Sequence, residues 1–124
     1  MSEKPLLDKL GVKPGHRVSV LYIDDASFLS SIRRRADVSK KRREGSDIIL
    51  LGAERATDLE RIAKVKPDLV KDGALWVVRP KGVKAITEAD VMQAGSAAGL
   101  VDVKVVSFSA THTAEKFVYR LKDR

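Results

Sequence analysis

Five charged residues are spaced so that an α/β sheet would bring them to one edge. Asp24 and Asp25 follow a hydrophobic run at 18–23, Glu54 follows another at 48–51, and Arg79 and Lys81 follow a third at 74–78. If each run is a parallel strand, all five stand at strand C-termini, the edge where open α/β sheets bind ligands. Three carboxylates and two cations there can hold a polar ligand. The same acids also have a plain structural use, because a short carboxylate at a helix start accepts free backbone N–H groups.

A second constellation is purely cationic. Residues 33–43 hold Arg33, Arg34, Arg35, Lys40, Lys41, Arg42 and Arg43 against one acid, Asp37. The whole chain has a formal net charge of +7, and the rest of it divides almost evenly, with 17 of the 24 basic and 16 of the 17 acidic residues. The basic character is therefore local, a surface segment over residues 33–45. Clustered Lys and Arg release counterions from a phosphate backbone, so nucleic acid or an acidic protein is the partner to expect, against a simply solvated charge run. No aromatic residue interleaves the segment, which argues against single-strand recognition by stacking.

His112, with Ser109, Thr111 and Thr113 around it, allows a nucleophile–base pair to be written. Hydroxyl residues are common in turns, however, and no orienting acid lies nearby in sequence, so no catalytic residue is assigned. His16 is far from His112 and neither has acids clustered about it, which gives no metal site. The chain has no cysteine, excluding disulfides and thiolate chemistry.

The elements that must position these groups follow from hydrophobic spacing. Leu6, Leu7 and Leu10 suggest a short helix over 3–10, ended by Gly11 and turned by Pro14-Gly15. The run at 18–23 is nearly continuous, as in a strand covered on both faces. Asp24 or Asp25 then caps a helix whose stripe is Phe28, Leu29 and Ile32. A short edge strand is expected at 36–39, and a strong strand at 47–51. Thr57 and Glu60 match a capping box; a helix follows, with a further helical turn from Pro67 through Val70 that Asp72-Gly73 stops. Next come a buried strand at 74–78 carrying Trp76, and a helix capped by Thr87 with Asp90, stapled by Ile86 and Val91 and stopped by Gly99. Val101, Val103 and Val105 alternate with Asp102 and Lys104 as in a half-buried strand over 101–108 that includes Phe108. The stretch 110–114 reads as a hairpin loop and 116–121 as the last strand. Trp76 and Phe108 are read as core.

This order is an α/β pattern: a three-layer sandwich on a mainly parallel sheet, closed by a C-terminal antiparallel hairpin. The 124 residues suit one domain, and 44% apolar with 33% charged residues is a globular composition. No apolar run approaches the roughly 20 residues that span a bilayer, and the N-terminus lacks a signal-peptide layout, so a cytoplasmic location without membrane contact is expected. The strand edges near the basic segment and at the hairpin leave a homodimer open.

Three stretches resemble the class I S-adenosylmethionine-dependent methyltransferase fold: Gly11-x-Lys13-Pro14-Gly15-x-Arg17-Val18, Val70-x-x-Gly73-x-Leu75-Trp76-Val77, and Ala97-Ala98-Gly99-Leu100-Val101-Asp102-Val103. From Leu7 to Arg120 the chain also resembles a family of small bacterial proteins catalogued only as a domain of unknown function, which looks like a truncated relative of those enzymes. The resemblance implies a Rossmann-like fold and a cofactor crevice. Against it, the loop after the first strand, Asp24-Asp25-Ala26-Ser27-Phe28, has no glycine, where the fold uses glycine to bring backbone against the ligand. The place where that fold carries an acid to hold the ribose, at the end of its second strand, corresponds here to the basic segment, and one strand–helix unit is missing. The reading is a non-catalytic binding or interaction domain with no cofactor expected. The alternatives are a minimal methyltransferase that takes S-adenosylmethionine through an atypical loop, and a nucleic-acid-associated protein. The crevice candidates are Asp24, Asp25, Glu54, Arg79 and Lys81.

Overall fold

The computed structural model describes residues 5–124. Its six strands are β1 (Arg17–Leu21), β2 (Asp37–Ser39), β3 (Ser46–Gly52), β4 (Leu69–Pro80), β5 (Leu100–Ser107) and β6 (His112–Tyr119). Its four α-helices are α1 (Leu6–Lys9), α2 (Ala26–Arg33), α3 (Arg61–Val65) and α4 (Glu88–Ala97). They form one sheet in the order β2-β1-β3-β4-β6-β5. The first four strands are parallel, and the β5–β6 hairpin closes the sheet with antiparallel pairings. The expected α/β sandwich is present. The expected helix at 3–10 is observed from Leu6, and residues 3 and 4 lie outside the described residues.

Strand alternation builds two cores. Ile48, Leu50, Trp76 and Val78 face Phe28, Leu29 and Ile32 of α2 on one side of the sheet. Ile49, Leu51, Leu75 and Val77 face Leu59, Ile62, Val65 and Val91 on the other. Both sets are needed because successive side chains point to opposite faces, which is why these strands read as unbroken apolar runs. The Trp76 indole N–H donates to Leu10 O at 3.1 Å and ties the central strand to the end of α1.

Several local expectations are corrected. Asp72-Gly73 does not end an element but lies within β4, where pairing jumps from Ser46↔Leu69 to Ile48↔Ala74. That irregularity lets β4 cross close to Asp47, and a Cβ on Gly73 would sit 2.6 Å from Asp47 O. Pro67 starts only a 3-10 turn, Lys66–Asp68, and Val70 is already strand. The Thr57–Glu60 box does not form; Asp58 instead accepts the backbone N–H groups of Glu54 and Arg55. The Thr87–Asp90 box does form, in both directions. The last strand begins at His112, so Thr113 and Ala114 pair with Arg79 and Val78 and the loop is residues 108–111. Phe108 is in that loop, buried against Phe28 at 4.8 Å between ring centroids. Val101, Val103 and Val105 are 42–52% exposed, not half of a buried face. As the outer strand, β5 pairs only with β6, and a register shift between Asp102 and Lys104 breaks its alternation.

The connection from β2 to β3 shapes the site. Both strands run parallel to β1 on its two sides, yet only residues 40–45 join them. Parallel neighbours ordinarily need a crossover of a dozen residues or more, usually a helix. Here the loop is pinned by polar contacts: Arg43 donates to Asp37 O at 2.7 Å, Ser46 Oγ to Arg43 O at 2.6 Å, and the buried Ser19 and Ser46 hydroxyls meet at 2.7 Å. With no helix in the crossover, a groove stays open beside α3.

Candidate ligand crevice

At the C-terminal ends of β1 and β3 the surface opens into two basins that share Tyr22. One, of about 600 Å³, is lined by Asp24, Asp25, Glu54, Ser109, Thr111 and His112, with Phe108 and Val78 on its floor. The other, of about 680 Å³, is lined by Lys40, Lys41, Arg42, Arg61 and Lys64 with Leu21, Tyr22 and Val65. Both fall in the size range of small-molecule sites. The first holds three carboxylates and the second five cations, so the crevice is divided by charge.

Tyr22 makes the division. It is the only non-glycine among the described residues with a left-handed backbone, φ 60°, and its side chain is 67% exposed. Such a conformation costs an L-residue roughly 1–3 kcal/mol. The glycine absent from the loop after β1 is thus replaced by strain at Tyr22, together with a glycine on the neighbouring strand. Gly52 lies so close that a Cβ there would be 2.1 Å from Tyr22 O. The Arg61 guanidinium stacks on the Tyr22 ring, 3.6 Å from its centroid. Arg61 is itself held by Gly52 O at 3.2 Å and by Asp58 at 3.4 Å. The backbone N–H groups around Glu54 hold the Asp58 carboxyl below its ordinary pKa, with Arg61 adding to the effect.

In the acidic basin, Asp25 caps α2 by accepting the Phe28 N–H at 3.0 Å, while no hydrogen bond occupies the Asp24 carboxylate among the described residues. Glu54 meets His112 Nε2 at 3.3 Å, and Thr111 Oγ1 meets His112 Nδ1 at 2.8 Å. This is the orienting acid that local sequence does not supply, since Glu54 is 58 positions from His112. The order hydroxyl, imidazole, carboxylate can take up a proton at His112 and stabilise the resulting charge through Glu54. Thr113 is turned away, donating to Val106 O. His16 belongs to the opposite edge, where its Nδ1 accepts the Lys13 N–H.

Arg79 and Lys81 do not join the crevice. Arg79 Nε pairs with the fully buried Glu115 at 2.6 Å, and Lys81 binds Ser107 Oγ at 2.8 Å. Arg79 is drawn inward because a buried carboxylate needs a partner. The basic segment is also divided. Arg35 pairs with Asp8, Arg43 with Asp37, and Arg42 with the buried Asp68. The Asp68 hydrogen bond raises the Arg42 pKa further above its ordinary value. Arg33 and Arg34 face a shallow surface with Asp24 and Lys40, and among the described residues no acid pairs with Arg33, Arg34, Lys40 or Lys41. Nothing in the sequence marks Tyr22, Arg61 or Lys64 as site residues. No group of His, Cys, Asp and Glu suited to a metal occurs among the described residues, and none of their helices is long and apolar enough to cross a membrane.

No family model and no curated protein matches the chain. Solved structures do. A SAM-dependent O-methyltransferase from Thermotoga maritima superposes with TM-score 0.70 at 9% identity, over 96% of this chain and 65% of that one. A SAM-dependent methyltransferase from Aquifex aeolicus gives TM-score 0.65 at 14% identity, over 90% and 86%. A TehB-like SAM-dependent methyltransferase from Corynebacterium glutamicum gives 0.61 at 11%, over 93% and 85%. The chain has a methyltransferase-like, Rossmann-like α/β fold.

Proposed function

We propose that this protein is a minimal S-adenosylmethionine-dependent methyltransferase that uses the acidic basin. The observation that carries the proposal is the convergence of Asp24, Asp25 and Glu54 with the Glu54–His112–Thr111 chain, at the C-terminal ends of β1 and β3 and the N-terminal end of β6. The likeness to solved methyltransferases favours this reading over a non-catalytic binding domain.

The residues present fit the positively charged end of the cofactor. Three carboxylates in one concave basin attract a sulfonium and an ammonium, and Asp24 has a carboxylate uncommitted to the fold. When bound, the cofactor supplies a methyl group activated by its sulfonium charge. The chain's own residues bind and orient. Asp24 and Glu54 supply the negative field, Phe108 and Val78 close the apolar floor, and the Thr111 hydroxyl relays to His112 Nδ1, which it faces, the proton that an acceptor hydroxyl or amine gives up. As His112 is protonated, Glu54 stabilises the imidazolium and Thr111 turns its hydroxyl to accept from Nδ1. The Tyr22 turn replaces the glycine loop as the wall beside the ligand.

Thermal unfolding with S-adenosylmethionine and S-adenosylhomocysteine tests this reading. A ligand at a hundred times its dissociation constant adds about 2.7 kcal/mol, a rise of several degrees for a domain of this size. Asp24→Asn should reduce the shift without lowering the ligand-free unfolding temperature, since the Asp24 carboxylate makes no hydrogen bond or ion pair among the described residues. The absence of any shift at millimolar ligand overturns the reading.

A further inference from the structure

We propose that the chain pairs with a second copy of itself through β5, edge to edge, so that two sheets join into one across a two-fold axis. The surface lies away from the crevice, and the pairing does not depend on methyl transfer.

The composition of β5 is the first observation. Five of its eight residues are apolar (Leu100, Val101, Val103, Val105 and Val106), yet Val101, Val103 and Val105 are about half exposed. A strand covered on one face alternates apolar with polar residues. Here valines stand on both faces. Val101 pairs with Val118, which packs on the α2 side of the sheet, and Val105 pairs with Glu115, on the side of Phe117 and α4. Apolar residues on both faces are the pattern of an inner strand such as β3, but β5 has a neighbour on one side only among the described residues. A long apolar edge with its outer N–H and C=O groups unpaired is a template for another strand.

The second observation makes that strand a second β5. An eight-residue strand paired antiparallel with its own copy over its whole length has its two-fold axis between the fourth and fifth residues, here Val103 and Lys104. Opposite residues are then one odd-numbered and one even-numbered, which in a regular strand lie on opposite faces. The register shift between Asp102 and Lys104 removes this mismatch. Leu100, Asp102, Val105 and Ser107 all pair with residues on one face of β6 (Tyr119, Phe117, Glu115 and Thr113), while Val101 and Val106 pair with Val118 and Ala114 on the other. Across the axis Val101 therefore meets Val106 on the α2 face, and Leu100 and Asp102 meet Ser107 and Val105 on the α4 face. The irregularity makes β5 complementary to itself.

Charge selects the same edge. The chain has a formal net charge of +7, so two copies repel unless that charge lies far from the contact. β5 holds one acid and one cation, Asp102 and Lys104. The opposite edge, β2, is three residues long and is flanked by the seven cations of residues 33–43. Joining β5 to β5 places the two basic segments at the far ends of the combined sheet, roughly 50 Å apart at about 4.8 Å per strand, several Debye lengths at physiological salt. Joining β2 to β2 would press them together. The pairing also consumes both β5 edges and leaves only short cationic edges outside, so it closes at a dimer.

Sedimentation of the full chain over a range of concentrations tests the proposal, with a dimer as the expected species. V101K/V105K alters exposed side chains only and adds four cations along the contact; it should raise the dissociation constant about tenfold or more. K40E/K41E, at the other edge, should dimerise at least as well as the parent. The chain has no cysteine, so a single introduced thiol reports the contact. Val103→Cys, next to the axis, should form a disulfide between copies under mild oxidation, and Leu121→Cys, at another exposed position, should not. A single-chain mass at every concentration overturns the proposal. So does a dimer that V101K/V105K leaves at full strength, or one lost in K40E/K41E, which would put the contact on β2. Equal cross-linking through positions 103 and 121, or a mass that keeps growing with concentration, would overturn the closed two-fold pairing.

Discussion

Replacing Arg79 by methionine should lower stability by about 3–5 kcal/mol at neutral pH, the cost of leaving a buried carboxylate without its partner. Glu115 is fully buried in β6, Arg79 is 11% exposed, and their 2.6 Å contact joins the two central antiparallel strands. Glu115 Oε2 has no hydrogen-bond partner among the described residues, so Arg79 supplies nearly all the compensation. Burial pushes the Glu115 carboxyl above its ordinary value of 4.5, Arg79 pulls it back, and Glu88 and Asp102 add to the upward push. A carboxyl raised in the folded state contributes most stability below its unfolded pKa and loses that contribution as pH rises through the folded value. Without Arg79 the folded value moves higher still. The R79M deficit should therefore be largest near pH 7 and shrink toward pH 5, as Glu115 takes a proton. Urea unfolding at both pH values, with the R79M/E115Q double variant recovering much of the loss, is the check. A deficit below about 1 kcal/mol that does not change with pH would mean that Glu115 is not held as a charge by Arg79.

Gly52→Ala should be the most damaging single methyl in the crevice. The added Cβ would lie 2.1 Å from Tyr22 O and 2.9 Å from Tyr22 C, and neither is the free end of a flexible side chain. Backbone must move, at a cost of about 3 kcal/mol, the upper part of the overpacking range. The consequence reaches function, because Tyr22 is the wall shared by both basins and Gly52 O holds Arg61 against its ring. G52A should weaken the response to S-adenosylmethionine, as Asp24→Asn does, but with a loss of stability that Asp24→Asn does not show. Denaturation with and without S-adenosylmethionine measures this. An alanine variant with the parent's stability and ligand response would show that the close approach of β3 to Tyr22 does not hold the crevice.

The legible parts of the molecule were those written in local periodicity. The strands around Val20, Leu50 and Trp76 announce themselves because both faces of the sheet are covered. Asp25 as the cap of α2 and Thr87–Asp90 as the cap of α4 are visible because a cap is satisfied within three or four residues. The misread parts involve partners far away. Asp72-Gly73 has the composition of a stop, but the backbone of Asp47 turns it into an irregularity inside β4. The valines of β5 have the alternation of a buried face, but burial depends on what packs against them, and the outer edge lacks a cover.

For the site, the sequence by itself determined which residues reach the C-terminal edge: Asp24, Asp25 and Glu54 follow strands whose direction the α/β pattern dictates. It also placed the basic segment after α2. Tertiary structure alone decided which of these groups meet. It turned Arg79 to Glu115, placed Glu54 on His112 across 58 positions, brought Arg61 onto Tyr22, and put the strain of the missing glycine on Tyr22 beside Gly52. The reason is physical. Periodicity encodes which face of an element is apolar, over a few residues at a time. The pairing of charges and the approach of one backbone to another depend on distances between strands that adjoin in space and not in sequence.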